Sequence, residues 1–138
     1  MSKITTILII IIGVLIAGWF LVSRLSLSDS SKIVARSGLH WHATLNIKAA
    51  GEPVIIPGGI GLEGLTHNPM HTHDIDNVIH MEYNGLVKEN DLKLGKFFEI
   101  WGRKFEEDRK MLVNGKENLE FENYIMRDSD KIEIIYGK

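Results

Sequence analysis

The six histidines of this chain all fall between residues 40 and 80, as His40-x-His42, His67, His71-x-His73 and His80. Asp74, Asp76 and Glu82 lie among them, with Met70 and Met81 adjacent. Neutral imidazoles are common ligands for zinc and copper, and several must converge within about 2.0–2.1 Å of one point to hold an ion. A His-x-His pair on a strand supplies two of them on one face, ~6–7 Å apart at the backbone. Two such pairs and a further strand histidine point to one metal site built from His40, His42, His71, His73 and His80. Asp74 or Glu82 is then placed to accept a hydrogen bond from a coordinating ring and orient it. Each residue has an ordinary alternative. His40, His42 and His80 sit on polar strand faces, where a histidine needs no ligand. His67 has no partner at strand spacing and reads as a loop residue. Met70 is a soft donor suited to Cu(I), with packing as its ordinary role, and Met81 reads as core.

Other chemistries fit poorly. The chain has no Cys, which removes disulfides, thiolate zinc sites, iron–sulfur clusters, blue copper and cysteine nucleophiles together. There is no His-Glu-x-x-His, and no glycine-flanked Ser stands near a His. The segment His71-Thr72-His73-Asp74-Ile75-Asp76 resembles the His-x-His-x-Asp-His motif of metallo-β-lactamase-like hydrolases, but Ile75 stands in the Asp position and Asp76 in the His position. A cupin needs a histidine well beyond its first pair and a Glu between; none follows His80 here. The glycines at 58, 59, 61 and 64 are not followed by Lys-Ser/Thr, so they do not form a phosphate loop. A net charge of −2 leaves no basic footprint for nucleic acid.

The elements that must position the histidines can be read from periodicity. Leu39 to Ile47 alternates strictly, with Leu39, Trp41, Ala43, Leu45 and Ile47 on one side and His40, His42, Thr44 and Asn46 on the other; that is a half-buried strand. A turn at Ala49-Ala50-Gly51 and a short edge strand over Pro53–Pro57 follow, then a glycine-rich loop to Pro69. Asn77 to Tyr83 alternates again, with Ile79, Met81 and Tyr83 opposite Val78, His80 and Glu82. The period then changes: Leu94, Phe97, Phe98 and Trp101 share one helical face, with Asp91 as a candidate cap and Gly102 as a stop. Met111-Leu112-Val113 with Asn114-Gly115 is a strand and tight turn, and Lys131 to Tyr136 is a final strand. The aromatic stripe is expected to pack on the face carrying Trp41, Leu45 and Met81. With the two histidine strands antiparallel, His42 is expected opposite His80, and His40 opposite Glu82.

Val113-Asn114-Gly115-Lys116, then Phe121 to Ile125, then Asp128 to Ile135, resembles the closing half of a ubiquitin-like β-grasp domain. That resemblance covers the last ~45 residues and implies an opening hairpin, one helix and a central last strand. No Gly-Gly tail follows Tyr136, so conjugation is not implied. The whole domain is also similar to small membrane-anchored, histidine-rich proteins, a resemblance that implies no activity.

At 138 residues the chain has room for one domain beside its N-terminal segment. Ile4 to Val22 carries no charge, close to the roughly 20 apolar residues a bilayer core requires. Residues 1–22 are therefore expected to be a transmembrane anchor, with a cleaved signal as the alternative, since Ser26-Leu27-Ser28 resembles a cleavage site. Residues 23–32 read as a polar linker. Residues 33–138 form the domain, with 13 Lys+Arg and 17 Asp+Glu. Flanking charges barely decide orientation; so short a segment before the anchor places the domain outside.

The expected architecture is α+β: a transmembrane helix, then a β-grasp-like mixed sheet packed on one helix. The expected function is a single-pass, extracytoplasmic metal-binding protein for Cu or Zn, its partners being the ion and the membrane, with no nucleic acid and no protein partner specified. A metal-dependent hydrolase or oxidoreductase, and a β-grasp interaction module without metal, are the alternatives.

Overall fold

The computed structural model describes residues 2–25, 31–64 and 67–137. The chain divides into two compact units, 1–30 and 31–138. In the first, the apolar run forms the helix α1 (Lys3–Leu25). The transmembrane reading of this run is corrected: among the described residues no helix is long and apolar enough to cross a membrane. A bilayer core demands about 20 consecutive apolar positions, and the described residues of α1 do not supply them. The single-pass architecture and the localisation argued from it fall with that reading. The Ser26-Leu27-Ser28 motif and half of the expected 23–32 linker lie outside the described residues, while α1 itself continues through Leu25.

The second unit is a mixed α+β structure. Its strands are β1 (Ile33–Ala35), β2 (Leu39–Ala49), β3 (Glu52–Val54), β4 (Met70–His71), β5 (Val78–Tyr83) and β6 (Val87–Lys88), followed by a 3₁₀ turn at Glu89–Leu92, the helix α2 (Leu94–Trp101), β7 (Arg109–Val113), β8 (Lys116–Glu117), a second 3₁₀ turn at Phe121–Asn123, and β9 (Asp130–Tyr136). The main sheet runs β4-β5-β2-β9-β7-β8, with β3 also paired to β2. Its two central strands, β2 and β9, are parallel, from Ala43↔Asp130 to Ala49↔Tyr136, and the remaining pairs are antiparallel. β1 and β6 form a separate two-stranded sheet.

Strand alternation divides the main sheet into two faces. Ala43, Leu45 and Ile47 of β2, Ile79 and Met81 of β5, Met70 of β4, Met111 of β7, and Ile132 and Ile134 of β9 are all buried. They join Leu94, Phe97 and Phe98 of α2 in one core, as the helical stripe requires. Trp41 and Trp101 are half-buried at its margin. Burying Phe97 completely is worth about 1.5–3 kcal/mol relative to leaving it exposed.

The ends of α2 differ from expectation at one side only. Gly102 closes the helix in the left-handed conformation, φ 71°, where a side chain would be strained. Asp91 does not cap its start. It sits inside the preceding 3₁₀ turn, where its Oδ2 accepts the backbone N–H of Lys88 at 2.8 Å, and Lys93 occupies the helix boundary with no side-chain cap. The carboxylate is committed one turn early because the chain tightens into the 3₁₀ turn before α2 begins. The edge strand expected over 53–57 is shorter and earlier, pairing Glu52 to Ala49 and Val54 to Ile47, since Pro57 cannot donate to a ladder.

Candidate metal centre

The face of the sheet away from α2 carries the histidines. β2 and β5 pair antiparallel with His42 opposite His80 and His40 opposite Glu82, the register expected from their alternation. A slip of one residue would carry Leu45 and Met81, both fully buried, to the other face. The polar turn before β9 holds the strand: Asp128 Oδ1 accepts the His42 backbone N–H at 2.9 Å and the Ser129 N–H donates to the His42 carbonyl at 2.7 Å.

His71 reaches the same face by a route that the sequence conceals. Residues 70 and 71 are not loop: they form β4, which adds to the outer edge of β5 with Met70 opposite Met81 and His71 opposite His80. Met70, on the core side and fully buried, packs and does not face the histidines. Thr72, 1% exposed, anchors the segment. Its hydroxyl donates to the Pro57 carbonyl at 2.8 Å and accepts from the Ile60 N–H at 3.1 Å, while its own N–H and carbonyl bond Ile60 and Gly59. The glycine-rich loop fits this strand so closely that a Cβ at Gly58 would lie 2.5 Å from the His73 carbonyl oxygen, and one at Gly61 2.7 Å from that of Met70. Those glycines serve close packing of the loop against the 70–74 segment.

His80 therefore stands in the middle of a row of imidazoles. Its ring centroid is 4.7 Å from that of His42 on one side, and 4.5 Å from His73 and 5.5 Å from His71 on the other. The two His-x-His pairs each bring their Nε2 atoms to 3.2 Å. Two donors ~2.0–2.1 Å from a tetrahedral ion stand about 3.3–3.4 Å apart, so each pair already spans one edge of such a site. Without an ion, one ring of each pair donates its N–H to the other. The ligand atoms form two overlapping groups able to hold a metal: His71, His73, His80 and Glu82, and His40, His42 and His80, with all atoms of a group within 4.8 Å of one another. All five expected histidines are thus present on one face, arranged as two groups that share His80.

The supporting polar groups differ from those expected. Glu82 is in place: its Oε1 lies 3.3 Å from His40 Nε2 and 3.9 Å from His80 Nδ1. Asp74 is exposed and belongs to neither group, because the chain has left the strand by that point. Asp76 accepts the Val78 N–H at 3.0 Å, shaping the turn into β5. The partner that orients His71 is instead the Asn68 backbone carbonyl, 2.9 Å from Nδ1. That bond places the proton on Nδ1 and leaves Nε2 free to coordinate. A main-chain carbonyl carries no residue signature, so no motif could have revealed it. His67 is exposed and joins neither group.

Burial varies along the row. The His71 residue is 3% exposed, whereas the side chains of His80 and His40 are 17% and 63% exposed. His80 Nδ1 is buried and has no hydrogen-bond partner. Its pKa is held below 6.5, first because burial penalises the charged ring and then because His73, His42 and His71 crowd it; Glu82 acts in the opposite direction. A neutral ring is the form that coordinates. A cavity of about 590 Å³ opens beside the row, lined among others by His40, His67, His71, His73 and Glu82.

Against known family models, curated proteins and solved structures the chain finds no match, so what the site does has to be read from its own geometry.

Proposed function

We propose that the protein binds a transition-metal ion, copper or zinc, through this histidine row, and that binding, sequestration or delivery of the ion is its function. The observation that carries the reading is His80 Nδ1: buried, without a hydrogen-bond partner, and flanked by the imidazoles of His42, His71 and His73. An unsatisfied buried polar atom costs about 1–3 kcal/mol, and a bound cation would offset that cost. The donor set of imidazoles with one carboxylate suits zinc and copper and offers no thiolate.

The test is metal uptake by the full chain, purified without a polyhistidine tag. Titration with Zn²⁺ and with Cu²⁺ or Cu⁺ is expected to show stoichiometric binding, abolished when His42 and His73 are replaced together. Failure of all three ions to bind stoichiometrically would sink the reading and leave the interaction module. The cavity beside the row favours one further reading, a metal-dependent enzyme with Glu82 as base and substrate in that cavity. Hydrolytic turnover that requires the ion and is lost in Glu82→Gln, with the ion still bound, would select it.

A further inference from the structure

We infer that the row offers one ion two alternative positions that share His80, an inner holding position on His71, His73 and Glu82 and an outer exchange position on His40 and His42. This rests on the metal-binding reading above and adds how the ion is taken up and given away. Donors to one ion at ~2.0–2.1 Å can be no more than about 4.2 Å apart. The five imidazoles do not make one such set: the His40–His42 pair and the His71–His73 pair group separately, each with His80. His80 lies between the pairs on the middle strand of three, opposite His71 of β4 and His42 of β2.

The two positions differ in kind. The inner one has four protein donors, and its His71 is buried and held by the Asn68 carbonyl. Both features favour tight, slowly exchanging coordination. The outer one has three donors, and its His40 side chain is 63% exposed. Fewer ligands and open access favour fast exchange with water or with another chelator. Glu82 stands between them, 3.3 Å from His40 Nε2 and 3.9 Å from His80 Nδ1, so a carboxylate is at hand while one imidazole pair replaces the other. His80 belongs to both groups, and a neutral imidazole has one unprotonated nitrogen, so it serves one ion at a time and the positions are exclusive. His40 and His42 replace His71 and His73 around the ion, water takes the place that Glu82 leaves, and no electron is transferred.

The experiment loads the full chain with Zn²⁺ and follows its removal by a colorimetric chelator in stopped flow. Wild type is expected to bind one ion per chain. His40→Gln with His42→Gln should keep that stoichiometry and fold, yet loading and removal should slow by about tenfold or more, each tenfold being ~1.4 kcal/mol of barrier. His71→Gln with His73→Gln should still take one ion, bound more weakly and released faster. Circular dichroism separates loss of fold from loss of ligand, and the His40 and His42 pair keeps the test open if buried His71 does not tolerate change. Two ions per wild-type chain, or exchange rates unaffected by loss of His40 and His42, would overturn the exchange mechanism while leaving metal binding intact. No bound ion in wild type would remove the metal-binding reading itself.

Discussion

At the scale of single residues, His80 is the pivot, and its protonation ties the site to the fold. In the unfolded chain its ring titrates near 6.5; in the folded chain burial and the neighbouring imidazoles lower that value. Below 6.5 the unfolded state binds a proton that the folded state refuses. The stability contributed by neutral His80 is therefore complete above 6.5 and is lost as pH falls through the lowered folded value. The urea midpoint of the chelator-treated chain should fall as pH is taken from about 7.5 to about 5.5, and His80→Gln should flatten that fall. An identical slope in the variant would show that His80 does not carry the effect. The same variant should weaken Zn²⁺ binding more than either replacement of a single outer histidine, because His80 serves both groups; isothermal titration checks the order.

At the scale of elements, the site depends on a two-residue strand and the loop clamped to it. Thr72→Val preserves shape but removes a hydroxyl that bonds Pro57 and Ile60. Leaving the buried Ile60 N–H unpaired should cost about 1–3 kcal/mol, measured by denaturant unfolding. It should also lower Zn²⁺ affinity although Thr72 is not a ligand; unchanged affinity would mean that β4 holds its position without the clamp. The helix supports the sheet from the other side. Phe97→Ala should cost about 3–5 kcal/mol, since the ring is fully buried between α2 and the sheet. A loss below ~1 kcal/mol would contradict that packing, because surface changes usually lie near ±0.5 kcal/mol.

At the scale of the whole molecule, the histidine row links three adjacent strands, β4, β5 and β2, of one sheet. An ion there binds the folded state and finds no assembled site in the unfolded one, so it must stabilise the fold. Free Zn²⁺ at about 100 times the dissociation constant should add about 2.7 kcal/mol. The melting temperature of the full chain should rise with zinc and return to its starting value with EDTA. Amide exchange should slow most around 58–73, where the loop and β4 meet the site. A melting temperature indifferent to zinc would be incompatible with coordination by folded-state residues alone.

Local periodicity settled a good part of this structure before any contact was known. Alternation in 39–47 and 77–83 decides which side chains share a face, because successive residues of a strand point to opposite sides whatever the strand pairs with. The stripe Leu94, Phe97, Phe98, Trp101 decides the helix and its buried side in the same covalent way, and the matched alternation leaves one register open to the histidine pair. Other features belong to the tertiary structure alone. The apolar run in the sequence suggested a membrane span, but among the described residues no helix is long and apolar enough to cross a membrane. Asp74 looked equivalent to Glu82 in sequence, yet only Glu82 lies on the strand that faces the row. Folding also set β4 against β5, gave His71 a backbone carbonyl from Asn68, and tied His42 to Asp128 across 86 residues. It divided five histidines into two groups around His80. Such relations depend on which distant segments pair and at what spacing, and a one-dimensional pattern holds the direction of each side chain but not the distance between two of them.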